Sequence, residues 1–301
     1  MDTTQGMSGP EDSGVVDNGQ ASPTVVRMLL GARLRRLRQA AGITRDSAGD
    51  AIRSSGSKIS RLELGRTGFK QRDVSDLLTL YGVGGDDAER DILLGLAAQA
   101  NSSGWWHEYA DVLPAWFEPY LGLEQAASLI RSYEVAFIPG LLQTEDYARA
   151  VARLADGVSE ARVEQRVSLR LQRQQILHRR GPVHLWVVID ETALRRPLGG
   201  RAVMLDQVDH LIRMSRLAHV TVQVMPFSAG GHAAAGGQVT MLRFAEELLP
   251  DVVYFEQMHS ALYMNKPAET DHHWNVLNRV VTEALPPDQS ERKLRRLADL
   301  I

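Results

Sequence analysis

The sequence contains no cysteine and no long apolar run. Without cysteine, disulfide frameworks, thiolate zinc sites and cysteine nucleophiles are excluded, and such a composition is ordinary in a reducing compartment. No apolar stretch approaches the ~20 residues of a membrane helix, and the N-terminus has neither the basic start nor the apolar segment of a secretory signal. We therefore expect a cytoplasmic protein without a membrane partner.

Lysine and arginine are absent from residues 1–26, which hold four Asp or Glu and are rich in Gly, Ser and Pro. This composition predicts a disordered acidic tail. Positive charge follows at once: residues 27–72 hold twelve Lys or Arg and three Asp or Glu, a net charge of +9 on a chain whose total is −3. A basic block on an acidic chain is typical of proteins that bind phosphate backbones, although many basic faces are merely solvated.

The length of 301 residues and the apolar content of 44% favour two folded units. We expect an all-α unit of five helices at residues 27–101 and a larger mixed α/β (α+β) domain at residues 122–301. Residues 102–121 hold three of the five Trp and two Pro, with no Lys or Arg among them. We interpret this segment as a packed aromatic connector, because base stacking in a nucleic-acid groove usually comes with interleaved basic residues.

The five N-terminal helices are predicted from the spacing of apolar residues and from capping residues. The first is expected at about residues 29–41. Thr44 is expected to cap a second helix that runs to about Ile52, and Ser55 a third that runs from Gly56 to about Leu64. The inward residues predicted for the fourth and fifth helices are Val74, Leu77, Leu78 and Tyr81, followed by Ile92, Leu93 and Leu96.

The third helix has a narrow apolar stripe, in which only Ile59 and Leu62 face inward. Its other side chains are small, hydroxylated or charged. Such a helix suits insertion into a DNA major groove, which is about 12 Å wide. The alternative is an ordinary exposed helix with a salt-bridging surface.

The run ISRLELG at residues 59–65, behind a second helix that begins at Thr44, resembles the Cro/C1-type (phage-repressor-like) helix-turn-helix family. The resemblance implies binding of double-stranded DNA by a nucleoid-associated protein, with base edges read by the start of the third helix. It also implies a structural ion pair between Arg38 and Glu63. The DNA-contacting residues that follow from it are Thr44, Arg45, Ser55, Gly56, Ser57, Lys58, Ser60, Arg61, Arg66, Lys70 and Arg72.

Individual roles differ within this set. Arg61 is expected at a guanine, because a guanidinium can bond O6 and N7 together, whereas Lys58 is expected on or near phosphate. Two residues depart from the family pattern. Arg53 stands where the turn frequently has glycine, so we expect a turn of different shape, and Gly56 has no side chain, so base readout must depend on Ser57 and Arg61.

The C-terminal region alternates between helical and strand patterns. Helices are predicted at about residues 122–134, 144–155, 159–179, 202–217, 267–284 and 288–300. Strands are predicted at about residues 185–189, 220–226, 238–244 and 252–256. Strand order does not follow from these patterns.

Several segments of this region occur in the order seen in actinobacterial helix-turn-helix regulators that carry a large C-terminal domain of poorly assigned function. They are GWWHEYADVLPAWF, IPGLLQTEDYARA, VVIDETALRRPLGG and VTVQVMPFSAGGH. The resemblance implies a role in development or secondary metabolism and a small partner protein encoded nearby. We expect a homodimer on a palindromic operator, its C-terminal domain serving dimerisation, partner binding or sensing of an unknown small-molecule ligand. The alternative is an antitoxin-like protein that sequesters the partner and binds DNA for autoregulation.

An enzyme is a weaker alternative. Asp190, Glu191, His232 and His259 are candidates for an acid–base cluster, but carboxylates at strand ends more often cap the following helix. The adjacent His272 and His273 cannot share a metal as an i, i+4 pair would. The glycines at 230, 231, 236 and 237 lack the Gly-Lys-Ser/Thr of a phosphate loop. We therefore expect no catalytic residues, no metal site and no cofactor.

Overall fold

The computed structural model describes residues 22–85 and 87–300. Five helices form the N-terminal region, and a six-stranded mixed sheet with flanking helices forms the C-terminal domain. This architecture confirms the predicted fold class. None of the described helices combines the length and hydropathy needed to cross a membrane.

The N-terminal helices enclose one apolar core. The helices are α1 (Pro23–Ala40), α2 (Arg45–Ala51), α3 (Gly56–Glu63), α4 (Gln71–Leu80) and α5 (Ala88–Gln99). The largest buried side chains of this core are Leu30, Leu34, Ile59, Leu62, Phe69, Val74, Leu77, Leu78, Tyr81 and Leu93.

Helix α1 begins earlier than its apolar spacing predicts. Most of the predicted acidic tail, residues 1–21, lies outside the described residues, but the assignment of residues 22–26 to that tail is wrong. Ser22 caps the helix by accepting a hydrogen bond from the amide of Val25, and Pro23 occupies the first turn, where its missing N–H costs nothing. Val25 and Val26 are 4% and 1% exposed, so the first turn is part of the folded core.

The predicted inward face of α5 is wrong at Ile92, which is 63% exposed. Leu93 is buried as predicted, and Ala97 and Ala100 are buried with it. These positions are spaced by four and three residues and share one face, whereas Ile92 lies about 100° away from Leu93 around the helix.

The turn between α2 and α3 is strained at one residue. Arg53 has φ of 53°, a left-handed value that costs a side-chain-bearing residue roughly 1–2 kcal/mol. The expectation of a differently shaped turn is therefore wrong: the chain keeps the conformation that glycine usually provides, with arginine in it.

The C-terminal domain contains seven further α-helices among its described residues. They are α6 (Glu118–Ala126), α7 (Glu145–Ala152), α8 (Glu160–Gln174), α9 (Glu191–Arg195), α10 (Arg201–Met214), α11 (Pro267–Glu283) and α12 (Pro287–Leu300). The strands are β1 (Leu129–Glu134), β2 (His184–Asp190), β3 (Val220–Met225), β4 (Val239–Arg243), β5 (Val252–Glu256) and β6 (Ala261–Met264).

The sheet has the order β3-β2-β1-β4-β5-β6. Strands β1, β2 and β3 are parallel, while β4, β5 and β6 join by antiparallel pairing. Side chains alternate between two cores: Val187 faces the core that contains α10 and α12, and Val188 faces the core that contains α11. The sheet is therefore a middle layer covered on both faces.

The sequence predictions for this domain fail at two strands, β1 and β6. The helix expected at 122–134 ends at Ala126, and residues 129–134 form the central strand β1. Both faces of β1 are buried, so its run LIRSYE lacks the polar alternation of a half-exposed strand. Strand β6 was not predicted, because it is short and lies at the sheet edge.

The aromatic connector packs onto the C-terminal domain. Trp106 lies in a short 3-10 helix (Trp105–Tyr109), is 2% exposed and packs with Leu121 and Leu169. The hydroxyl of Tyr109 donates to Gln172 at 2.8 Å. The last four residues assigned to the connector, 118–121, belong to α6.

Helix α6 also contacts the N-terminal region directly. The hydroxyl of Ser22 donates to the carbonyl oxygen of Gly122 at 2.6 Å. A Cβ at Gly122 would lie 2.6 Å from the Cβ of Thr24, so this close approach of α6 to α1 requires glycine. The two regions are thus joined at the first turn of α1.

We predict that Arg53→Gly raises the free energy of unfolding by about 0.5–1 kcal/mol, because glycine adopts the left-handed conformation without strain and loses only part of that gain to its more flexible unfolded state. Urea denaturation followed by circular dichroism measures the change. Arg53→Ala removes the same guanidinium but keeps a Cβ, so it should bring no such gain. Equal stability of the two variants would show that Arg53 is not strained.

Candidate DNA-binding surface

Helix α3 is held by its two ends and two anchors. Ser55 accepts a hydrogen bond from the amide of Lys58 at 3.3 Å, and Gly65 ends the helix with φ of 65°. Ile59 and Leu62 are 1% and 2% exposed, as predicted. The opposite face of α3 is therefore exposed to solvent.

The exposed face of α3 presents polar groups. Ser57 and Arg61 are exposed, while Gly56 and Ser60 are partly buried. The guanidinium of Arg61 makes no ion pair or hydrogen bond with any residue in the described part of the chain. The side chain expected at a guanine is therefore free to engage one.

The starts of α2 and α3 lie side by side. Thr44 caps α2 through the amide of Ser47 at 3.1 Å, and Arg45 follows it with a half-exposed side chain. An open depression between the two helices is lined by Arg38, Arg45, Asp46, Gly56, Ser57 and Ser60. The structure thus brings together residues of α2 and α3 that the family resemblance assigns to one DNA surface.

Asp46 is a member of this surface that the sequence analysis did not include. Its carboxylate occupies the space that a Cβ at Gly56 would need. Gly56 therefore makes room for the Asp46 carboxylate, and it has no side chain with which to contact a base. A carboxylate at this place repels phosphate but can accept a hydrogen bond from N4 of cytosine.

Arg38 and Glu63 form the ion pair that the resemblance implies. The Arg38 Nε and Nη2 atoms donate to the two carboxylate oxygens of Glu63 at 2.5 and 3.2 Å, and Nη1 donates to the carbonyl oxygen of Ile43 at 2.7 Å. Both residues are buried. The hydrogen bond to Glu63 raises the pKa of Arg38 above its usual value. Arg45 adds a third cationic contact to Glu63, at 3.3 Å, so α1, α2 and α3 meet at one carboxylate.

Lys58 forms a close ion pair with another helix of the domain. Its ammonium lies 2.7 Å from the carboxylate of Asp73 on α4, and the side chain is 26% exposed. The structure thus pairs Lys58 within the domain. Its contact with phosphate stays a prediction that requires this pair to open.

Beyond α3, the basic residues expected at the DNA backbone are all exposed. Arg66 and Lys70 have no charged partner within the described chain, and Arg72 lies 3.8 Å from Asp76 as a loose i, i+4 pair. These cations remain available to phosphate groups.

The candidate acid–base residues of the C-terminal domain are placed in two different regions. Asp190 caps α9 through the amide of Thr192 at 2.8 Å and accepts a hydrogen bond from the Tyr133 hydroxyl at 2.8 Å. His232 lies 3.0 Å from the same hydroxyl, whereas His259 lines a cavity on the opposite face of the sheet. Asp190 therefore caps the helix that follows its strand.

The glycine-rich segment after β3 uses its amides within the fold. Ala233 N–H donates to the carboxylate of Glu283 at 2.9 Å, and Ala234 N–H donates to His232. A carboxylate at this place disfavours phosphate. Across the described residues, no three His, Asp or Glu side chains are grouped closely enough to hold a metal ion.

Two family models match the chain. Residues 29–91 match one described as a helix-turn-helix domain, and residues 117–296, more than half of the chain, match one described as a domain of unknown function, DUF5753. No curated protein and no solved structure matches the chain significantly. The first match indicates DNA binding, and the second confirms a large C-terminal domain without an assigned function.

We predict that Arg38→Met destabilises the protein by about 3–5 kcal/mol, because it leaves the buried Glu63 carboxylate without its main partner. The double variant Arg38→Met/Glu63→Leu should recover most of that loss, since no buried charge remains. Urea denaturation of wild type, both single variants and the double variant measures the coupling.

Arg72→Met is the matched control, because its pair with Asp76 is exposed and should contribute less than about 1 kcal/mol. If Arg38→Met costs no more than this control, the buried pair does not hold the three helices together.

Proposed function

We propose that this chain, which belongs to the DUF5753 family, is a sequence-specific transcription regulator of the Cro/C1 type. It carries a helix-turn-helix domain ahead of the DUF5753 domain. It acts in the cytoplasm, on the nucleoid. The C-terminal domain serves binding and assembly and not catalysis.

The observation that carries this proposal is the free polar face of α3. Two anchors, Ile59 and Leu62, hold the helix, and Ser57 and Arg61 face outward. Exposed arginines are common on protein surfaces, but this one belongs to a helix whose start borders a depression shared with α2. In a major groove, that arginine matches the O6 and N7 acceptors of guanine.

The regulator binds as a homodimer on a palindromic operator. Helix-turn-helix dimers engage half-sites about one helical turn apart, roughly 34 Å, because each recognition helix must enter the same face of the duplex. A single domain with one short recognition helix reads few base pairs, so a second copy supplies the remaining specificity. The small partner protein implied by the resemblance would act on this dimer.

We predict that Arg61→Ala lowers affinity for the operator by about 1–3 kcal/mol, or roughly 5- to 150-fold, and relaxes the preference for guanine at one position of each half-site. The operator is obtained by selecting bound fragments from a random duplex library with the wild-type chain. Affinities are then measured by fluorescence anisotropy at several salt concentrations.

Two further variants separate base readout from charge. Arg66→Ala should weaken binding to all sequences alike and reduce the salt slope by about one. Arg292→Ala, which removes an exposed arginine of α12, should leave both properties unchanged. The proposal is refuted if the DNA fragments selected by the wild type share no sequence motif. It is also refuted if Arg61→Ala keeps the motif and the affinity of the wild type.

A further inference from the structure

A cavity of about 650 Å³ lies in the C-terminal domain, over the face of the sheet opposite α11. Strands β1, β4 and β5 form its floor, and α6, α8 and residues 137–143 enclose it. Small-molecule sites typically measure about 300–1,000 Å³ and combine apolar walls with a few polar groups. This cavity has that size and that composition.

Aromatic rings form a continuous wall. Phe117 stacks on Tyr120 with ring centroids 5.2 Å apart, and Tyr120 packs against Tyr254 at 4.3 Å. Trp116 and Phe137 also line the cavity. A flat or bulky apolar group would bury its surface against these rings.

One ion pair in the cavity wall has both of its charges matched. Arg173 of α8 donates from Nε and Nη2 to both carboxylate oxygens of Glu124 on α6, each at 2.8 Å. The two side chains are 10% and 2% exposed. This pair fastens α6 to α8 and leaves no net charge for a ligand.

Arg170, one turn before Arg173, lacks such a partner. It lines the cavity, and no described residue forms an ion pair or a hydrogen bond with its guanidinium. Burial and the neighbouring Arg173 lower the pKa of Arg170 to about 10, although Glu256 acts in the opposite direction. A partly buried cation without a bonded counter-charge favours the entry of an anionic group.

Glu134, at the end of β1, is the acidic counterpart. It lines the cavity and takes part in no ion pair within residues 22–85 and 87–300. Burial raises the pKa of Glu134 to about 8, with a further contribution from Glu256, while a hydrogen bond from the Ser132 hydroxyl and the nearby Arg173 act in the opposite direction. An arriving cationic nitrogen would stabilise the ionised carboxylate.

Gln143 lies in the wall of the cavity and is 4% exposed. Its Nε2 donates to the carbonyl oxygen of Ile138 at 2.8 Å, while its Oε1 is buried and accepts no hydrogen bond from any described residue. Because this oxygen does not face the open space of the cavity, the charged contacts of a ligand depend on Arg170 and Glu134.

We propose that the cavity binds a small zwitterionic molecule with an apolar body, of the amino-acid or short-peptide class. Its cationic nitrogen donates to Glu134, its anionic group pairs with Arg170, and its body packs against the aromatic wall. A purely anionic ligand would leave Glu134 unmatched, and a purely cationic ligand would leave Arg170 unmatched.

The test uses the full chain and dipeptides that begin with phenylalanine, detected by ligand-observed NMR and quantified by calorimetry. We expect binding at concentrations of about 1 mM or below, and at least a tenfold loss of affinity when either the amino group is acetylated or the carboxylate is amidated. No binding by any free dipeptide, or equal binding by the capped forms, would overturn the proposal.

Variants locate the site. Glu134→Gln and Arg170→Met should each reduce affinity at least about tenfold, whereas Arg162→Met, an exposed arginine on the same helix and outside the cavity, should not. Circular dichroism and melting temperature establish that each variant is folded, and Arg170→Gln replaces Arg170→Met if the latter fails to fold. Retained affinity in the cavity variants would overturn the residue assignment.

Helix α6 connects this cavity to the DNA-binding region, since Tyr120 and Glu124 line the cavity while Gly122 contacts Ser22 at the start of α1. If the proposed DNA binding holds, a bound dipeptide should change operator affinity at least about threefold in fluorescence anisotropy. Dipeptide binding with unchanged operator affinity would reject this coupling alone. Failure of the peptide-free wild type to bind DNA would reject the proposed function and leave the ligand site standing.

Discussion

The buried carboxylate of Glu63 is the constraint on which the DNA-binding surface depends. A carboxylate removed from water must be matched by positive charge and hydrogen bonds, and here Arg38 and Arg45 provide both. Since these residues belong to three different helices, satisfying one charge fixes the mutual placement of α1, α2 and α3. The depression between α2 and α3, and the outward direction of Arg61, follow from that placement. The exposed groups proposed to read DNA therefore depend for their placement on the buried ion pairs of Glu63.

Helix α1 extends this constraint to the rest of the molecule. Val26 packs in the helical core of the N-terminal region, while Val25 packs in the core beneath the sheet of the C-terminal domain. The hydroxyl of Ser22 and the missing side chain of Gly122 complete the junction. One helix thus contributes consecutive residues to two cores, so a displacement of α6 must be accommodated either at this junction or within α1.

The sequence predicted those features that local rules determine. Caps at Thr44 and Ser55, the anchors of α3 and the fold class all follow from spacing and hydrogen-bonding chemistry. Strand β1 was missed because both of its faces are buried and its residues carry no period-two pattern. The cavity was missed for a different reason: its polar groups come from β1, α8 and the loop before α7, and only the fold brings them together. The charged face of α8, with Arg170 and Arg173 one turn apart, is the one local signal.

Buried charges elsewhere in the fold have bonded partners, which makes the cavity distinctive. The Glu63 and Glu124 carboxylates are each bonded to an arginine, and the buried guanidinium of Arg131 is bonded to Asn278 and to the carbonyl oxygen of Leu277. Arg170 and Glu134 line one space without bonding to each other or to another charged side chain among the described residues. Hydrophobic replacements would fill such positions more favourably. A zwitterionic group would supply both missing charges. Since α6 forms one wall of that space and contacts α1 at Gly122, the proposed ligand would lie one helix away from the DNA-binding region.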